Sequence, residues 1–233
     1  MPFDYASVVF AYDMNTIVAS GGNRYLKDFG ASSFDFRFPG GAADPTPDLS
    51  GGLVFDGGDH LYYDGDLARF YAQMPTGAAT LLYATTLTDS AVRTIFSCQS
   101  FGANNRGMLF GSQTAAIYGW YQWQNAATNP VIQPTGHAAT RQHLCALTME
   151  ATPRFIRDGS QGTATWAAGA FGTCVYDPAI VPRIGSVPVG GQFWLGSMRY
   201  LCLLRGALHN DDLAYASRLM AEGVKPFCYR RAA

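Results

Sequence analysis

Apolar and polar residues alternate in recurring runs along this chain with the two-residue period of a β-strand. The alternating runs are short, and clusters of Gly, Pro, Asn and Asp separate them as turns would. This pattern predicts an all-β protein built as a two-sheet antiparallel β-sandwich. The predicted strands are Ser7–Ala11, Ser33–Phe38, Leu53–Phe55, Ala79–Thr88, Thr94–Cys98, Met108–Ser112, Ala115–Trp123, Leu144–Glu150, Arg154–Arg157, Thr163–Ala167, Arg183–Val187 and Met198–Arg205.

One segment near the C-terminus follows the helical period instead. Its apolar residues recur three and four positions apart between Asp211 and Glu222, and Asn210 stands before it as an N-cap acceptor. Gly223 follows the last turn, where a helix commonly ends. The pattern predicts one short C-terminal helix, a single domain over residues 1–223 and a C-terminal tail over residues 224–233.

Two long stretches lack apolar periodicity and are rich in turn residues. They are Pro39–Gly52 and Gln124–Gln142. Loops of this length in a compact domain are often functional, so we expect partner contacts there.

The charge balance excludes two classes of partner. The 233 residues carry a formal net charge of −1, with acids and bases mixed along the chain, which argues against a nucleic-acid or membrane-surface interaction. No apolar run reaches the length of a membrane span. The N-terminal residues lack a basic region followed by an apolar core, so we expect a protein made in the cytoplasm without a signal peptide.

Five cysteines are spread through the chain without a C-x-x-C pair, which argues against a zinc site. Cys98, Cys145 and Cys202 fall in alternating strand patterns and are expected to be buried thiols. Among the five, Cys228 is the best candidate for a bond between chains, although a free thiol is the favoured interpretation for it as well.

Several segments resemble the concanavalin A-like lectin/glucanase superfamily, specifically its laminin-G-like branch. They are LVFDGGDHLYY, LLYATTLT, RTIFSC, HLCALTMEATPRFIRDG and RIGS…GQFWLGSMRYLCLLRGALHNDDL, in this order over about 170 residues from Leu53 onward. The resemblance implies a jelly-roll sandwich of two curved antiparallel sheets, with Phe193 and Trp194 packed at its rim. The Asp158-Gly159 dipeptide independently predicts a hairpin turn.

The chain departs from the superfamily where some members bind calcium. Arg199 stands where members often have an acid, and arginine cannot ligate a cation. Asp56 and Asp59 remain, but an Asp beside Gly usually accepts backbone N–H bonds in a turn. We therefore expect no metal and no cofactor.

Catalytic patterns are also missing. Glucanases with this fold carry an E-x-D-x-E strand, which supplies two nearby carboxylates, whereas Glu150 and Glu222 here are far apart and without acidic neighbours. Asp64 and Asp66, in DGD, are interpreted as turn residues. The sequence contains no G-x-S-x-G or H-E-x-x-H string, so it predicts a protein that is not an enzyme.

The best candidate for a recognition surface is the segment AAIYGWYQWQN. Alternation puts Ile117, Tyr121 and Trp123 on one side, which the aliphatic member directs to the core. The other side combines aromatic rings, which stack on sugars, with amides, which bind hydroxyl groups. Glycan contact, a protein interface and plain burial all remain open for this second set: Tyr118, Trp120, Gln122 and Gln124.

These observations favour a recognition or assembly module. The main hypothesis is a bacteriophage virion surface component, such as a decoration, head-fibre or tail-associated protein. It would act as a homo-oligomer on other virion proteins, with additional contact to cell-surface glycans, and would be located on the virion surface. The alternative is a stand-alone carbohydrate-binding, lectin-like protein, and a glycoside hydrolase ranks behind these two. Both rest on fold-level analogy and exclusion.

Overall fold

The computed structural model describes residues 4–49, 51–89, 91–100, 106–112, 120–124, 131–134, 142–168, 171–189 and 191–228. Within these residues the chain is mainly antiparallel β structure with two helices, which confirms the predicted all-β sandwich with its short C-terminal helix. No helix in this part of the chain is long and apolar enough to cross a membrane.

The described residues form seventeen strands and two α-helices. The strands are β1 (Val8–Ser20), β2 (Asn23–Asp28), β3 (Phe36–Arg37), β4 (Thr46–Asp48), β5 (Gly52–Asp56), β6 (Leu61–Tyr62), β7 (Ala79–Thr86), β8 (Arg93–Ser97), β9 (Gly107–Ser112), β10 (Trp120–Gln124), β11 (Val131–Pro134), β12 (Gln142–Met149), β13 (Phe155–Arg157), β14 (Ser160–Gly162), β15 (Ala164–Ala168), β16 (Arg183–Ile184) and β17 (Leu195–Arg205). The helices are α1 (Leu67–Gln73) and α2 (Asn210–Ala221).

Two sheets make up the sandwich. The first has the order β14–β13–β12–β7–β17–β1, and the second has the order β2–β3–β6–β16–β8–β9–β10–β11–β15. Strand β1 belongs to both, because its first half pairs with β17 and its second half pairs with β2. The hairpin β4–β5 extends the first sheet beside the start of β17.

The main core fills the space between the sheets. Side chains from the first sheet, such as Tyr83 and Leu203, meet aromatic residues of the second sheet, such as Phe36 and Phe96. Burial of large apolar side chains contributes roughly 1.5–3 kcal/mol each, so this cluster is the main stabilising element.

A second cluster covers the other face of the first sheet. Ala84, Tyr200 and Cys202 pack there against Leu213 and Met220 of α2. Cys228 joins the same cluster, and the Tyr200 hydroxyl donates to the backbone carbonyl of Pro226. The first sheet is therefore buried on both faces.

Several short elements were absent from the sequence-based prediction. Strands β2, β6 and β14 were missed, and β4 and β11 lie inside the two predicted loops. Two-residue strands and strands without alternating apolar residues give no periodic signal, which explains these errors. Helix α1 was also missed, because the DGD sequence was interpreted as a turn; Asp66 caps this helix by accepting from the Arg69 backbone N–H at 3.1 Å.

The C-terminal helix begins with a different cap from the one predicted. His209, rather than Asn210, occupies the N-cap position, with its Nδ1 atom 3.5 Å from the Asp211 backbone nitrogen. The side-chain oxygen of Asn210 instead accepts a hydrogen bond of 2.9 Å from Arg154. The hydrogen bond with the distant Arg154 thus occupies the side chain of Asn210, the residue that local sequence rules favour as the cap.

The five cysteines are all free and buried. This confirms the expectation for Cys98, Cys145 and Cys202. Cys228 is also free and is 1% exposed, in agreement with the favoured interpretation of a free thiol. Burial raises the pKa of these four thiols, which opposes thiolate chemistry.

The predicted Asp158-Gly159 turn is confirmed. Both residues have positive φ, 50° and 78°, and they join β13 to β14 with Arg157 paired to Ser160. This is the geometry that type I′ hairpins require.

We predict that Gly196→Ala destabilises the sandwich. Gly196 has φ 144°, and a Cβ atom there would lie 2.0 Å from the Thr86 carbonyl oxygen, so both strain and a backbone clash oppose it. We expect the free energy of unfolding to fall by about 2–4 kcal/mol in chemical denaturation. The control Gly77→Ala meets no atom within 4 Å and should change it by less than about 1 kcal/mol.

The second prediction concerns Asp28, which is 2% exposed and accepts backbone N–H bonds from Ala11, Gly30 and Phe34. Burial raises its pKa from 3.8 to about 6, although these hydrogen bonds oppose the rise. The folded state therefore favours protonated Asp28. Its contribution to stability is complete below the ordinary pKa of 3.8 and is lost as pH rises through about 6.

As the pH rises through this range, the free energy of unfolding of the wild type should fall by about 3 kcal/mol. Asp28→Asn should not show this fall, because an amide does not titrate. The variant is expected to be less stable than the wild type in acid, where it lacks one N–H acceptor, and to recover relative to it toward neutral pH. Denaturation curves measured across this pH range test the difference. Asp211→Asn, at an exposed position on α2, is the control; parallel pH profiles of wild type and Asp28→Asn would contradict the assignment.

Candidate functional site

A row of four polar and aromatic residues crosses the outer face of the second sheet, which points away from the main core. Tyr25 pairs with Arg37, Arg37 with Tyr62, and Tyr62 with Arg183. Directly paired residues of antiparallel strands project to the same face, so these side chains are neighbours. We call this set, Tyr25, Arg37, Tyr62 and Arg183, the arginine–tyrosine row.

The adjacent register positions point the other way. Leu26 pairs with Phe36, and Leu61 pairs with Ile184, and all four residues are buried in the main core. The row residues are half-buried, whereas these neighbours are fully buried. Alternation along four short strands thus separates a core face from a solvent-facing surface.

One end of the row is held by hydrogen bonds. Asp64 accepts from the Tyr25 hydroxyl at 3.4 Å and from the Arg37 guanidinium at 3.3 Å. Asn23 accepts a second Arg37 hydrogen bond at 2.6 Å. The Arg37 guanidinium carbon lies 5.9 Å from the Tyr62 ring centroid, within the range of a cation–π contact. Arg37 is therefore neutralised and oriented before any ligand arrives.

The other end of the row carries an uncompensated charge. In the part of the chain that the structure describes, the Arg183 side chain makes no hydrogen bond or ion pair, and its Nε atom is buried without a partner. Burial lowers the pKa of the Arg183 guanidinium, although arginine stays protonated at neutral pH. A half-buried cation without an anion is a natural position for an anionic or hydroxyl-rich ligand.

Aromatic and imidazole rings adjoin this cation. The His60 ring centroid lies 6.5 Å from that of Tyr62 and 6.2 Å from that of Phe193. Burial lowers the His60 pKa, and the charge of Arg183 lowers it further, so His60 is neutral at pH 7. The surface thus combines flat rings with a neutral polar imidazole and a free guanidinium.

The strand register links the row to the strand on which the sequence placed its candidate surface, although the intervening Ser97 and Leu109 are fully buried. Arg183 pairs with Ser97, Ser97 with Leu109, and Leu109 with Gln122 of β10. The adjacent register positions connect Phe96 with Phe110 and Phe110 with Tyr121. The candidate strand and the arginine–tyrosine row therefore belong to one sheet.

Trp120, Gln122 and Gln124 occupy β10, where they pair with Gly111, Leu109 and Gly107 of β9. Tyr118 lies outside the described residues. The assignment of these four residues to a glycan or partner surface stays a prediction. The sequence did not indicate the arginine–tyrosine row, because its members are far apart in sequence. Three of them lie on the two-residue strands β3, β6 and β16, and Tyr25 lies on β2, which the sequence pattern did not predict.

The superfamily's rim positions have structural roles here. Asp56 accepts from the Gly58 backbone N–H, and Asp59 accepts from the Asp56 backbone N–H, both at 2.9 Å, as expected for turn residues. Trp194 is fully buried in the main core, whereas Phe193 is half-buried at the edge of the row. Among the described residues, no group of three His, Cys, Asp or Glu side chains could hold a metal ion.

The sandwich is similar to parts of larger proteins of known structure. Trypanosoma rangeli sialidase is 14% identical with a TM-score of 0.56, and the match covers 93% of this chain and 33% of the sialidase. Botulinum neurotoxin type C, whose cell entry is described as dependent on two ganglioside molecules, is 8% identical with a TM-score of 0.59 and coverages of 92% and 51%. The receptor binding domain of the botulinum neurotoxin C/D mosaic serotype is 7% identical with a TM-score of 0.55. No protein-family model and no curated protein matches the chain.

These likenesses show the fold, which is a concanavalin-like β-sandwich as the resemblance implied. The chain spans about a third of the sialidases and about half of the toxin chains that it matches. At such low identity the functions of the larger proteins are not transferred with the fold.

The sequence-based exclusion of enzymatic activity is corrected by the same comparison. Solved structures with this fold include sialidases, one of them described as a covalent intermediate with 2,3-difluorosialic acid, and sialidases are enzymes. The exclusion rested on the missing pair of carboxylates, but sialidases use a tyrosine nucleophile and do not follow that pattern. A missing carboxylate pair therefore does not remove glycoside hydrolases from consideration.

The unpaired charge of Arg183 leads to a stability prediction. Replacing a half-buried cation that lacks a partner with an apolar side chain of similar length removes its desolvation penalty. The free energy of unfolding of Arg183→Met should therefore equal that of the wild type or exceed it by up to about 1 kcal/mol. Thermal and chemical denaturation measure this difference, and a marked loss of stability would show that Arg183 serves the fold.

The comparison variant is Arg93→Met. Arg93 forms an ion pair with Asp89 and donates to the Phe193 carbonyl at 3.0 Å. Removing it leaves Asp89 without its partner and the carbonyl without its donor, so this variant should lose about 1 kcal/mol or more.

Proposed function

We propose that this protein is a carbohydrate-binding, lectin-like β-sandwich that uses the outer face of the second sheet. The single observation that carries the proposal is the arginine–tyrosine row, a solvent-facing strip in which rings alternate with guanidinium groups. Tyrosine rings stack on the apolar faces of sugars, and their hydroxyls and the guanidinium donors bind sugar oxygens. Arg183 supplies the free cation.

The similar structures support this choice over an assembly role. One Trypanosoma rangeli sialidase structure is described as a complex with sialic acid, and the type C neurotoxin is described as interacting with gangliosides. Both are glycan-directed proteins that share the fold. The laminin-G-like branch and the virion hypothesis, with its partners and location, stay predictions from the sequence.

A glycan array with matched variants tests the proposal. Tyr62→Ala removes the ring between the two row arginines, so this variant should bind at least about tenfold more weakly than the wild type, which corresponds to about 1.4 kcal/mol. The control is Tyr215→Ala on α2, where Arg218 lies 5.1 Å from the ring in a comparable arginine–tyrosine contact. Its binding should equal that of the wild type.

Trp120→Ala separates the two candidate surfaces. If Trp120→Ala weakens glycan binding as much as Tyr62→Ala does, β10 is part of the binding site. If glycan binding is unchanged, the site consists of the arginine–tyrosine row alone. Release of sugar from each bound glycan is measured in the same samples, because the fold is shared with sialidases. Absence of glycan binding, or equal binding by wild type and Tyr62→Ala, would refute the proposal.

A further inference from the structure

A cavity lies against the outer face of the first sheet, on the other side of the sandwich from the arginine–tyrosine row. Its volume is about 200 Å³. The apolar part of its lining comes from Ala84, Leu144 and Met220, at the edge of the cluster beneath α2. The polar part comes from Asn15, Arg199 and Lys225. We call this space the Arg199 cavity.

Irregularities in two neighbouring strands create the polar part. Met198 pairs with Thr85 and Tyr200 with Ala84, so Arg199 is an extra residue in β17 opposite β7. In β1 the register to β2 shifts between Tyr12 and Ile17, and this interval contains Asn15. Bulges redirect side chains and often adjoin functional sites. Here two irregular segments direct polar residues into the same space.

The charges in the cavity do not cancel. Lys225 forms an ion pair with Asp13, which also accepts the Asn15 backbone N–H at 3.0 Å. Arg199 has no hydrogen bond or ion pair in the described part of the chain, and its Nε atom is buried without a partner. The cavity therefore has one uncompensated positive charge. A guanidinium fork of this kind matches a carboxylate, which it binds through two parallel hydrogen bonds.

The geometry points to a binding site for a small organic carboxylate with a short apolar chain. The carboxylate would pair with Arg199, with additional donors from Lys225 and the Asn15 amide. Ala84, Leu144 and Met220 would contact the chain. The volume accommodates only a small molecule, since a water molecule in the liquid occupies about 30 Å³. This site is independent of the arginine–tyrosine row, which lies on the other sheet.

Ligand-observed NMR and calorimetry with the full chain test the inference. The probes are acetate, butyrate, hexanoate and inorganic phosphate. We expect affinity to rise from acetate to hexanoate, with a dissociation constant on the order of millimolar for hexanoate. Binding should weaken as salt increases, because the ion pair is partly exposed to solvent.

Arg199→Gln should weaken hexanoate binding at least tenfold, whereas Arg24→Gln, at an exposed arginine of β2 paired with Asp44, should leave it unchanged. Arg199→Lys keeps the charge but loses the fork, so it should bind with intermediate affinity, and it also serves if the glutamine variant does not fold. Hexanoate binding that is undiminished in both Arg199 variants would overturn the inference. So would phosphate binding tighter than hexanoate, or no carboxylate binding at 10 mM.

Discussion

The rest of this structure depends on the burial of β17 on both faces. One set of its side chains, including Leu201 and Leu203, enters the core between the sheets, and the alternate set, including Tyr200 and Cys202, packs under α2. Its backbone is paired along its length with β1, β5 and β7. A strand that is packed on both faces and paired on both edges tolerates few local changes. For this reason Gly196, which lies against the Thr86 carbonyl, cannot be replaced without a clash. The extra residue Arg199 is the one departure from regular pairing between β17 and β7.

This burial determines where recognition can occur. The C-terminal helix packs against the central strands of the first sheet, and the Arg199 cavity lies at the margin of this contact. In the part of the chain that the structure describes, no helix comparable to α2 covers the arginine–tyrosine row, whose residues are half-buried. The sandwich is therefore asymmetric, with an extended candidate surface on the second sheet and a small candidate cavity at the margin of the first.

Two arginines illustrate what sequence reasoning could and could not supply. Arg199 was identified in the sequence because it interrupts a familiar calcium position, but the sequence could only indicate a lost ligand. The register shift in β17 and the lining from the chain after α2 show instead a cationic cavity. Arg183 stands at the start of a predicted strand, but no sequence pattern connects it with Arg37 and Tyr62, which are more than a hundred positions away.

By itself, the sequence determined the fold class, most of the long strands, the C-terminal helix and the Asp158-Gly159 hairpin. These features follow from local periodicity and turn chemistry, which act over a few neighbouring residues. Only the tertiary structure decided the pairing of the short strands, the replacement of Asn210 by His209 as a helix cap, the burial of Cys228 and the assembly of both candidate sites. Each of these depends on contacts between distant segments, and no local pattern encodes them.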